Sequence, residues 1–173
     1  MELVDLWDEN RTKIVRTIKR GEEILPHERR VSIHCYIINE QGQILIQKRS
    51  LKETHFAGWW STLGGAVVHG ISSFDMVKIE AQEELGLSFS DTQIKWILSF
   101  KRLKDFVDVY LINAEVDLAK IMMAPDEVSE VRWASFDEIL QMIKDKVFIA
   151  QPYLMLLRTL LQDKINTQLT KLN

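Results

Sequence analysis

The sequence predicts an α/β fold in a single domain, and three observations lead to this prediction. The chain has 173 residues, of which 46% are hydrophobic, and this length and composition suit one globular domain with a buried core. Several segments are rich in β-branched and aromatic residues and are bounded by polar turns, as is typical of strands. One segment, from Ser72 to Gly86, instead has the periodicity of an amphipathic helix.

The predicted elements follow one another as a hairpin, the strands of a sheet interrupted by one helix, and closing helices. Strands are predicted at 2–7, 12–18, 31–38, 43–48, 94–100, 106–116 and 131–133, with a further short strand before a glycine pair. The segments 31–38 and 43–48 are expected to pair through the turn at 39–42. Further helices are predicted at 136–145, where Ser135 is the N-cap, and at 152–170. We expect an N-terminal β-hairpin extension at 1–27, a main domain at 28–150 and a C-terminal helix at 151–173 packed on that domain.

The central helix has clear signals at both ends. Ser72 can cap its start, with Asp75 three residues later at the capping-box spacing, and Gly86 can adopt the left-handed conformation that ends it. Its apolar stripe follows the i, i+3, i+4 pattern and consists of Phe74, Val77, Ala81 and Leu85.

Three carboxylates lie near the end of the same helix. Glu80, Glu83 and Glu84 stand at i, i+3 and i+4, where side chains are neighbours and like charges repel by a few tenths of a kcal/mol per pair. A divalent cation would turn this repulsion into attraction, because hard cations prefer oxygen ligands. Gly64 and Gly65 would bring bare backbone to the same place. The alternative is that the adjacent glutamates, Glu83 and Glu84, belong to an ordinary solvated helix face.

This segment resembles the signature of the Nudix hydrolases. Gly65 stands at the first glycine of that signature, and the later positions match at Glu80, Glu83, Glu84, Gly86 and Leu87. Two positions depart from it, because Ile71 replaces a glutamate and Ile79 replaces an arginine. In the family, that glutamate and that arginine can form an ion pair that braces the loop against the helix. Apolar contact can compensate for the loss of both members of such a pair. One hypothesis is therefore that a hydrophobic brace replaces the ion pair and that the metal ligands are intact. The other is decay into a nucleotide-binding or regulatory protein.

The resemblance implies a fold, a reaction and a set of site residues. The fold is the Nudix-type α/β/α sandwich, a mixed β-sheet between helices. The reaction is metal-dependent hydrolysis of a diphosphate linkage in a nucleoside diphosphate derivative, with Mg²⁺ or Mn²⁺ as cofactor. Glu80, Glu84 and the carbonyl of Gly64 are the implied metal ligands, Glu83 is an auxiliary catalytic carboxylate, and Glu127 or Asp126 is the base that activates water.

Two further residues are candidates on the substrate side. Arg49 follows a strand, and its guanidinium can bind a phosphate bidentately, although a solvated charge is the alternative. Asp108 lies within an apolar run, and the subgroup related to isopentenyl-diphosphate isomerase has a carboxylate near this point that approaches the metal. An exposed strand aspartate is the alternative for Asp108.

Isomerase activity itself is not expected. That enzyme needs a cysteine within a Cys-Gly-His stretch at the glycine loop, and this chain has Gly64, Gly65 and Ala66 there. The N-terminal metal-binding histidine of the isomerase also has no counterpart, because Arg30 stands near the expected position.

Charge and cysteine content restrict partners and compartment. The 22 basic and 25 acidic residues give a net charge of −3, without the basic excess of a nucleic-acid-binding protein. The one cysteine, Cys35, cannot form an internal disulfide, which favours a cytoplasmic setting and a core thiol. The sequence shows neither a signal peptide nor a membrane span. We therefore expect a small-molecule diphosphate as partner, no nucleic acid, no membrane, and a possible homodimer through the hairpin or the last helix.

Overall fold

The computed structural model of the chain describes residues 2–161. Within this range the strands are β1 (Leu3–Trp7), β2 (Lys13–Lys19), β3 (Arg30–Ile38), β4 (Ile44–Arg49), β5 (Trp60–Ser61), β6 (Leu63–Ala66), β7 (Ile94–Lys101), β8 (Asp105–Asn113) and β9 (Val128–Ala134). The helices are α1 (Ser73–Leu85), a 3₁₀ turn (Leu118–Lys120), α2 (Phe136–Lys144) and a last helical stretch at 154–161.

Seven strands of the described chain form one mixed sheet. β3 and β8 run parallel at its centre, in register from the pair Arg30 and Asp105 to the pair Ile38 and Asn113. β7 lies antiparallel to β8 on one side, and β4 binds β5 and β9 antiparallel on the other. β6 adds antiparallel pairing to β3.

The pairing of β3 with β4 is weaker than the sequence suggests. These strands pair only at Ile38 and Ile44, next to their turn, because β6 occupies β3 from Ser32 to Cys35. Gly64 explains the close approach of β6, since a Cβ there would lie 2.6 Å from the Ile33 carbonyl oxygen. A strand with a side chain at that point could not fit.

Helices cover both faces of the sheet, which confirms the sandwich architecture. The reason is visible in β8, whose residues are buried on both sides as expected for a central strand with a parallel partner. Phe106, Tyr110 and Ile112 join the core beneath α1. Val107, Val109 and Leu111 join the core beneath α2 and the last helical stretch.

The ends of α1 and α2 follow the predicted signals. The Ser72 hydroxyl accepts a hydrogen bond from the Asp75 amide, and Gly86 ends α1 with φ of 67°. Ser135 and Glu138 form a complete capping box on α2. The predicted helix at 152–170 is helical at 154–161, and its remainder lies outside the described residues. No helix between residues 2 and 161 is long and apolar enough to cross a membrane.

The N-terminal hairpin is a separate two-stranded sheet. β1 and β2 pair antiparallel, and their inner side chains enclose a small core of Val4, Leu6, Ile18 and Ile24. The hairpin continues into the main sheet through backbone hydrogen bonds in both directions between Trp7 and Arg29. The domain boundaries at 27/28 and 150/151 stay predictions.

Candidate functional site

Three carboxylates meet at the C-terminal half of α1. Glu80 and Glu84 lie one helical turn apart, and Glu127 approaches them from the loop before β9. Each of the three offers an oxygen, and these oxygens lie within 4.8 Å of one another. Glu80 and Glu84 are only 7% and 6% exposed, whereas Glu127 is exposed. We call Glu80, Glu84 and Glu127 the acidic cluster. Glu83 lies outside it and faces solvent.

The acidic cluster holds negative charge that nothing in the described chain fully neutralises. Burial, followed by the charge of Glu80, raises the pKa of Glu84 to about 8. Burial, followed by the charge of Glu127, raises the pKa of Glu80 to about 7. Arg49 and Arg20 act in the opposite direction on Glu84 and Glu80 respectively, but do not cancel these shifts. A cation or a proton is therefore favoured at this place.

Gln47 on β4 provides a second polar group beneath the cluster. Its side-chain amide donates a hydrogen bond of 2.6 Å to Glu84 Oε2. The Gln47 Oε1 atom is buried, and no hydrogen-bond partner for it exists among residues 2–161. Sequence reasoning missed Gln47, although its polar side chain stands out in the buried run of β4.

The chemistry of this donor set fits Mg²⁺ or Mn²⁺. Both are hard cations that take carboxylate and carbonyl oxygens, and the cluster offers three carboxylates, of which Glu80 and Glu84 have raised pKa values. Gly65 makes the arrangement possible, because a Cβ there would lie 1.8 Å from Glu80 Oε1. The absent side chain allows Glu80 to lie directly against β6, beside Gly64.

Two backbone contacts hold the loop that carries Glu127. The Ala124 amide donates to the Glu84 carbonyl at 3.0 Å, which ties the loop to the end of α1. The Ser50 amide donates to the Glu127 carbonyl at 2.8 Å, which ties it to the end of β4. The loop that carries Glu127, a base predicted from the sequence, is thus held to both α1 and β4. Asp126, the other candidate, points its carboxylate to the exposed Lys52 at 2.5 Å.

A cavity of about 270 Å³ lies beside the cluster. Gly65 connects the cavity to the acidic cluster, because it lines the cavity and contacts Glu80. Arg49 also faces this cavity, where Glu53 and the His55 carbonyl hold its guanidinium at 2.9 and 3.0 Å. The other polar groups of the lining are Ser32, His34, Ser61, Thr62, Arg102 and Gln151.

Arg102 is a second cation of the cavity that sequence reasoning missed. It lies between β7 and β8, and its guanidinium is paired with Asp105. It reaches the cavity because Asp105 begins the strand next to β3, and no motif in the sequence signals this position. Arg49 and Arg102 thus place two guanidinium groups on one small cavity.

The histidine that lines the cavity is uncharged. Burial lowers the pKa of His34 to about 4, so its imidazole is neutral at physiological pH. His34 contacts the Tyr153 hydroxyl through Nδ1. The cavity lining therefore combines a neutral imidazole with two guanidinium groups.

Asp108 is not brought together with the other predicted site residues. It is 2% exposed on β8 and lies neither in the acidic cluster nor in the cavity lining. Arg11, at the turn of the N-terminal hairpin, donates to its Oδ1 at 2.8 Å and to its Oδ2 at 2.5 Å. No spacing in the sequence indicates this pair. In the structure, Asp108 binds the hairpin to the sheet.

The two residues that depart from the family signature are both partly withdrawn from solvent. Ile71 and Ile79 are partly buried and pack against the same core beneath α1. Neither is an exposed isoleucine of the kind expected after decay. The hydrophobic brace between these two residues stays a prediction.

Comparisons with known proteins identify the family and agree with the fold. A family model described as the NUDIX domain matches residues 28–157. An uncharacterised Nudix hydrolase of Listeria monocytogenes is 33% identical over 159 residues, covering 90% of this chain and 92% of the relative. An isopentenyl-diphosphate Delta-isomerase of Brevibacterium linens is 26% identical, covering 73% of this chain and 72% of that enzyme. A crystal structure from Deinococcus radiodurans has a TM-score of 0.77 and 25% identity, covering 91% of this chain and 98% of its own.

Proposed function

Because this chain belongs to the NUDIX domain family, we propose that it is a metal-dependent hydrolase of a diphosphate linkage in a nucleoside diphosphate derivative. Its Nudix hydrolase relatives support hydrolase activity in general. The observation that carries the finer proposal is the acidic cluster, in which the buried Glu80 and Glu84 have raised pKa values, beside a cavity with two guanidinium groups. One part of this site attracts a cation and the other attracts phosphate.

The metal would be held by Glu80, Glu84 and the carbonyl of Gly64, with Glu83 as an auxiliary carboxylate at the solvent side. When bound, Mg²⁺ or Mn²⁺ neutralises phosphate charge and lowers the pKa of water. The protein's own part is to hold these oxygens in place. Gln47 fixes the orientation of Glu84 through its 2.6 Å hydrogen bond, and β6 supports Glu80.

Glu127 is the proposed base. It is the exposed member of the cluster, so a water molecule can reach its carboxylate, and its loop is tied to α1 and β4. Asp126 is less suited because its carboxylate is engaged by Lys52. Proton transfer to a positioned carboxylate contributes about 10²- to 10⁴-fold to such reactions.

Arg49 is the proposed phosphate-binding residue. Its guanidinium is held by Glu53 and lies close enough to Glu84 to lower the pKa of that carboxyl. The remaining part of the substrate would enter the cavity, whose hydroxyl, amide and imidazole groups suit a polar group better than a hydrocarbon chain. Asp108 remains a candidate only for an indirect part, through the hairpin that it binds.

Isomerase chemistry is disfavoured despite the isomerase relatives. The glycine loop carries no thiol, and Cys35 is fully buried in β3, where burial raises the pKa of its thiol. A thiol so placed cannot reach a substrate in the cavity or supply a thiolate.

The test is a panel of nucleoside diphosphates, nucleotide sugars and isopentenyl diphosphate, incubated with Mg²⁺ or Mn²⁺ and assayed for hydrolysis products. Glu84→Gln removes a cluster charge, and Glu130→Gln is the matched control because Glu130 is exposed on β9. We expect turnover of at least one nucleoside diphosphate derivative, its loss in Glu84→Gln and its retention in Glu130→Gln. No turnover of any compound by folded protein, together with tight metal-independent nucleotide binding, would favour a binding protein instead.

A further inference from the structure

We propose that Asp5, on the N-terminal hairpin, is a positioning residue for the metal site and acts through the loop at 67–72. This loop joins β6 to α1, and we call it the β6–α1 loop. The effect on metal binding rests on the proposed function, whereas the effect on the loop does not.

The contacts between Asp5 and the β6–α1 loop are direct. Asp5 Oδ1 lies 2.7 Å from His69 Nδ1, and the Gly70 amide donates to Asp5 Oδ2 at 3.1 Å. A backbone bond runs beside them, since the His69 amide donates to the Leu3 carbonyl at 2.8 Å. The Asp5 residue is only 7% exposed, so these bonds form largely out of water.

The loop matters because it connects two halves of the metal site. At one end β6 carries Gly64 and Gly65, and at the other end α1 carries Glu80. Glu80 lies so close to Gly65 that a single methyl group would not fit between them. A loop that moved by a fraction of an ångström would change the separation of the Gly64 carbonyl from the Glu80 carboxylate. Metal affinity depends on such separations.

The inner and outer sides of the loop are held by different means. Inside, Ile71 packs against the core beneath α1. Outside, the bonds from Asp5 are made by the hairpin. Gly70 has φ of 78°, a conformation that glycine adopts readily, so the local backbone has little stiffness of its own there. The external bonds therefore restrain the outer side of the loop, and the packing of Ile71 restrains its inner side.

The hairpin must itself be fixed on the main sheet if Asp5 is to restrain the loop. Arg11 binds the buried Asp108 with both guanidinium nitrogens, and Trp7 exchanges backbone hydrogen bonds with Arg29. Lys13 pairs with Asp5 at 2.7 Å and compensates the charge of the buried carboxylate. Asp5 thus holds the β6–α1 loop to a hairpin that is fixed on the main sheet.

The decisive variants are Asp5→Ala and Glu28→Ala in the full chain. Glu28 is a close match, because it is also a buried carboxylate paired with a basic residue of β2, Arg16. Its hydrogen bonds go to Arg16 and the Leu25 amide, and none goes to the β6–α1 loop. Asp5→Asn retains one acceptor oxygen and is expected to fall between Asp5→Ala and the parent.

Two measurements test the proposal on folded protein well below its unfolding temperature. Hydrogen exchange of the Gly70 amide should accelerate by about tenfold in Asp5→Ala, because its acceptor is lost. Mn²⁺ affinity, measured by titration without substrate, should fall by about tenfold. Glu28→Ala should leave both values within about twofold of the parent.

The outcomes separate this proposal from the proposed function. Unchanged Gly70 exchange and unchanged Mn²⁺ affinity in Asp5→Ala, or equal changes in Glu28→Ala, would overturn the positioning role. Faster exchange with Mn²⁺ affinity unchanged would also overturn it, since the loop would then not act on the site. Failure of the parent to bind Mn²⁺ would instead contradict the proposed metal-dependent function.

Discussion

The structure contains two sets of buried carboxylates that are treated in opposite ways. Asp5, Asp105 and Asp108 each have a basic partner, and Glu80 and Glu84 have none in the described chain. Burial acts to raise every one of these pKa values. In the aspartates the hydrogen bonds from Lys13, Arg102 and Arg11 reverse the effect, so that the pKa of Asp5, for example, falls to about 2.

From this difference we expect one set of carboxylates to serve the fold and the other to serve a ligand. A buried charge with a bonded partner holds elements together at little net cost, whereas an unpaired buried charge lowers stability. Glu80 and Glu84 have pKa values of about 7 and about 8, so the fold retains them at a cost. Such a cost is expected where a site is prepared for a cation. Four predictions test this distinction.

The largest effect is expected from Glu84→Gln. We expect activity in the substrate panel to fall by at least about 100-fold, because a charged metal ligand is lost. We also expect the free energy of unfolding without metal to rise, since Glu80 loses a repelling neighbour. Urea denaturation with a chelator present measures the second quantity. A variant that lost both activity and stability would show that Glu84 serves the fold.

The pH dependence of stability should separate the two sets next. Glu80 and Glu84 have folded-state pKa values above the ordinary 4.5, so their contribution is fully present below that pH and is lost as pH rises through about 7 to 8. Asp5, with a pKa of about 2, contributes stability that is lost only as pH falls through that value. Without metal, unfolding free energy should therefore decrease between about pH 5 and about pH 8. Saturating Mg²⁺ should remove the decrease, and an equally steep decrease in Glu84→Gln would contradict this origin.

A smaller loss of stability is expected from Asp108→Asn. The Arg11 guanidinium would lose its charged partner, but its side chain is 34% exposed and can turn to water. We therefore expect a loss of about 1 to 3 kcal/mol, below the cost of stranding a fully buried charge. Thermal unfolding of the variant against the parent provides the value. A gain in stability would place Asp108 with the unpaired carboxylates instead.

The smallest effect is expected from Arg20→Gln. Arg20 pairs with Glu2 at 2.7 Å, but the two side chains are 56% and 51% exposed. Exposed ion pairs contribute little, so we expect a change within about 0.5 kcal/mol in urea denaturation. A loss above about 1 kcal/mol would mean that the guanidinium stabilises the nearby Glu80 more than its exposure suggests.

The sequence predicted the local features of the site better than its long-range contacts. Helix periodicity brought Glu80, Glu83 and Glu84 to one arc, and Ser72 and Gly86 marked the helix ends. Periodicity could not tell that β6 buries Glu80 while Glu83 faces solvent, because packing against another element decides this.

Pairs between distant segments were missed for the same reason. Asp5 and His69 are 64 positions apart, and Arg11 and Asp108 are 97 apart, so no local spacing connects them. Only the docking of the hairpin on the main sheet brings these groups together. The weak pairing of β3 with β4 has a similar origin, because the competing strand β6 comes later in the chain.

The parallel pairing of β3 with β8 has a consequence for synthesis on the ribosome. Arg30 pairs with Asp105, so β3 leaves the exit tunnel long before its central partner has been made. α1 depends on local hydrogen bonds and can form in the nascent chain with its carboxylates still hydrated. β9, which follows Glu127, pairs with β4 only after most of the chain has emerged. The acidic cluster is therefore complete only after Glu127, its last member in the chain, has emerged.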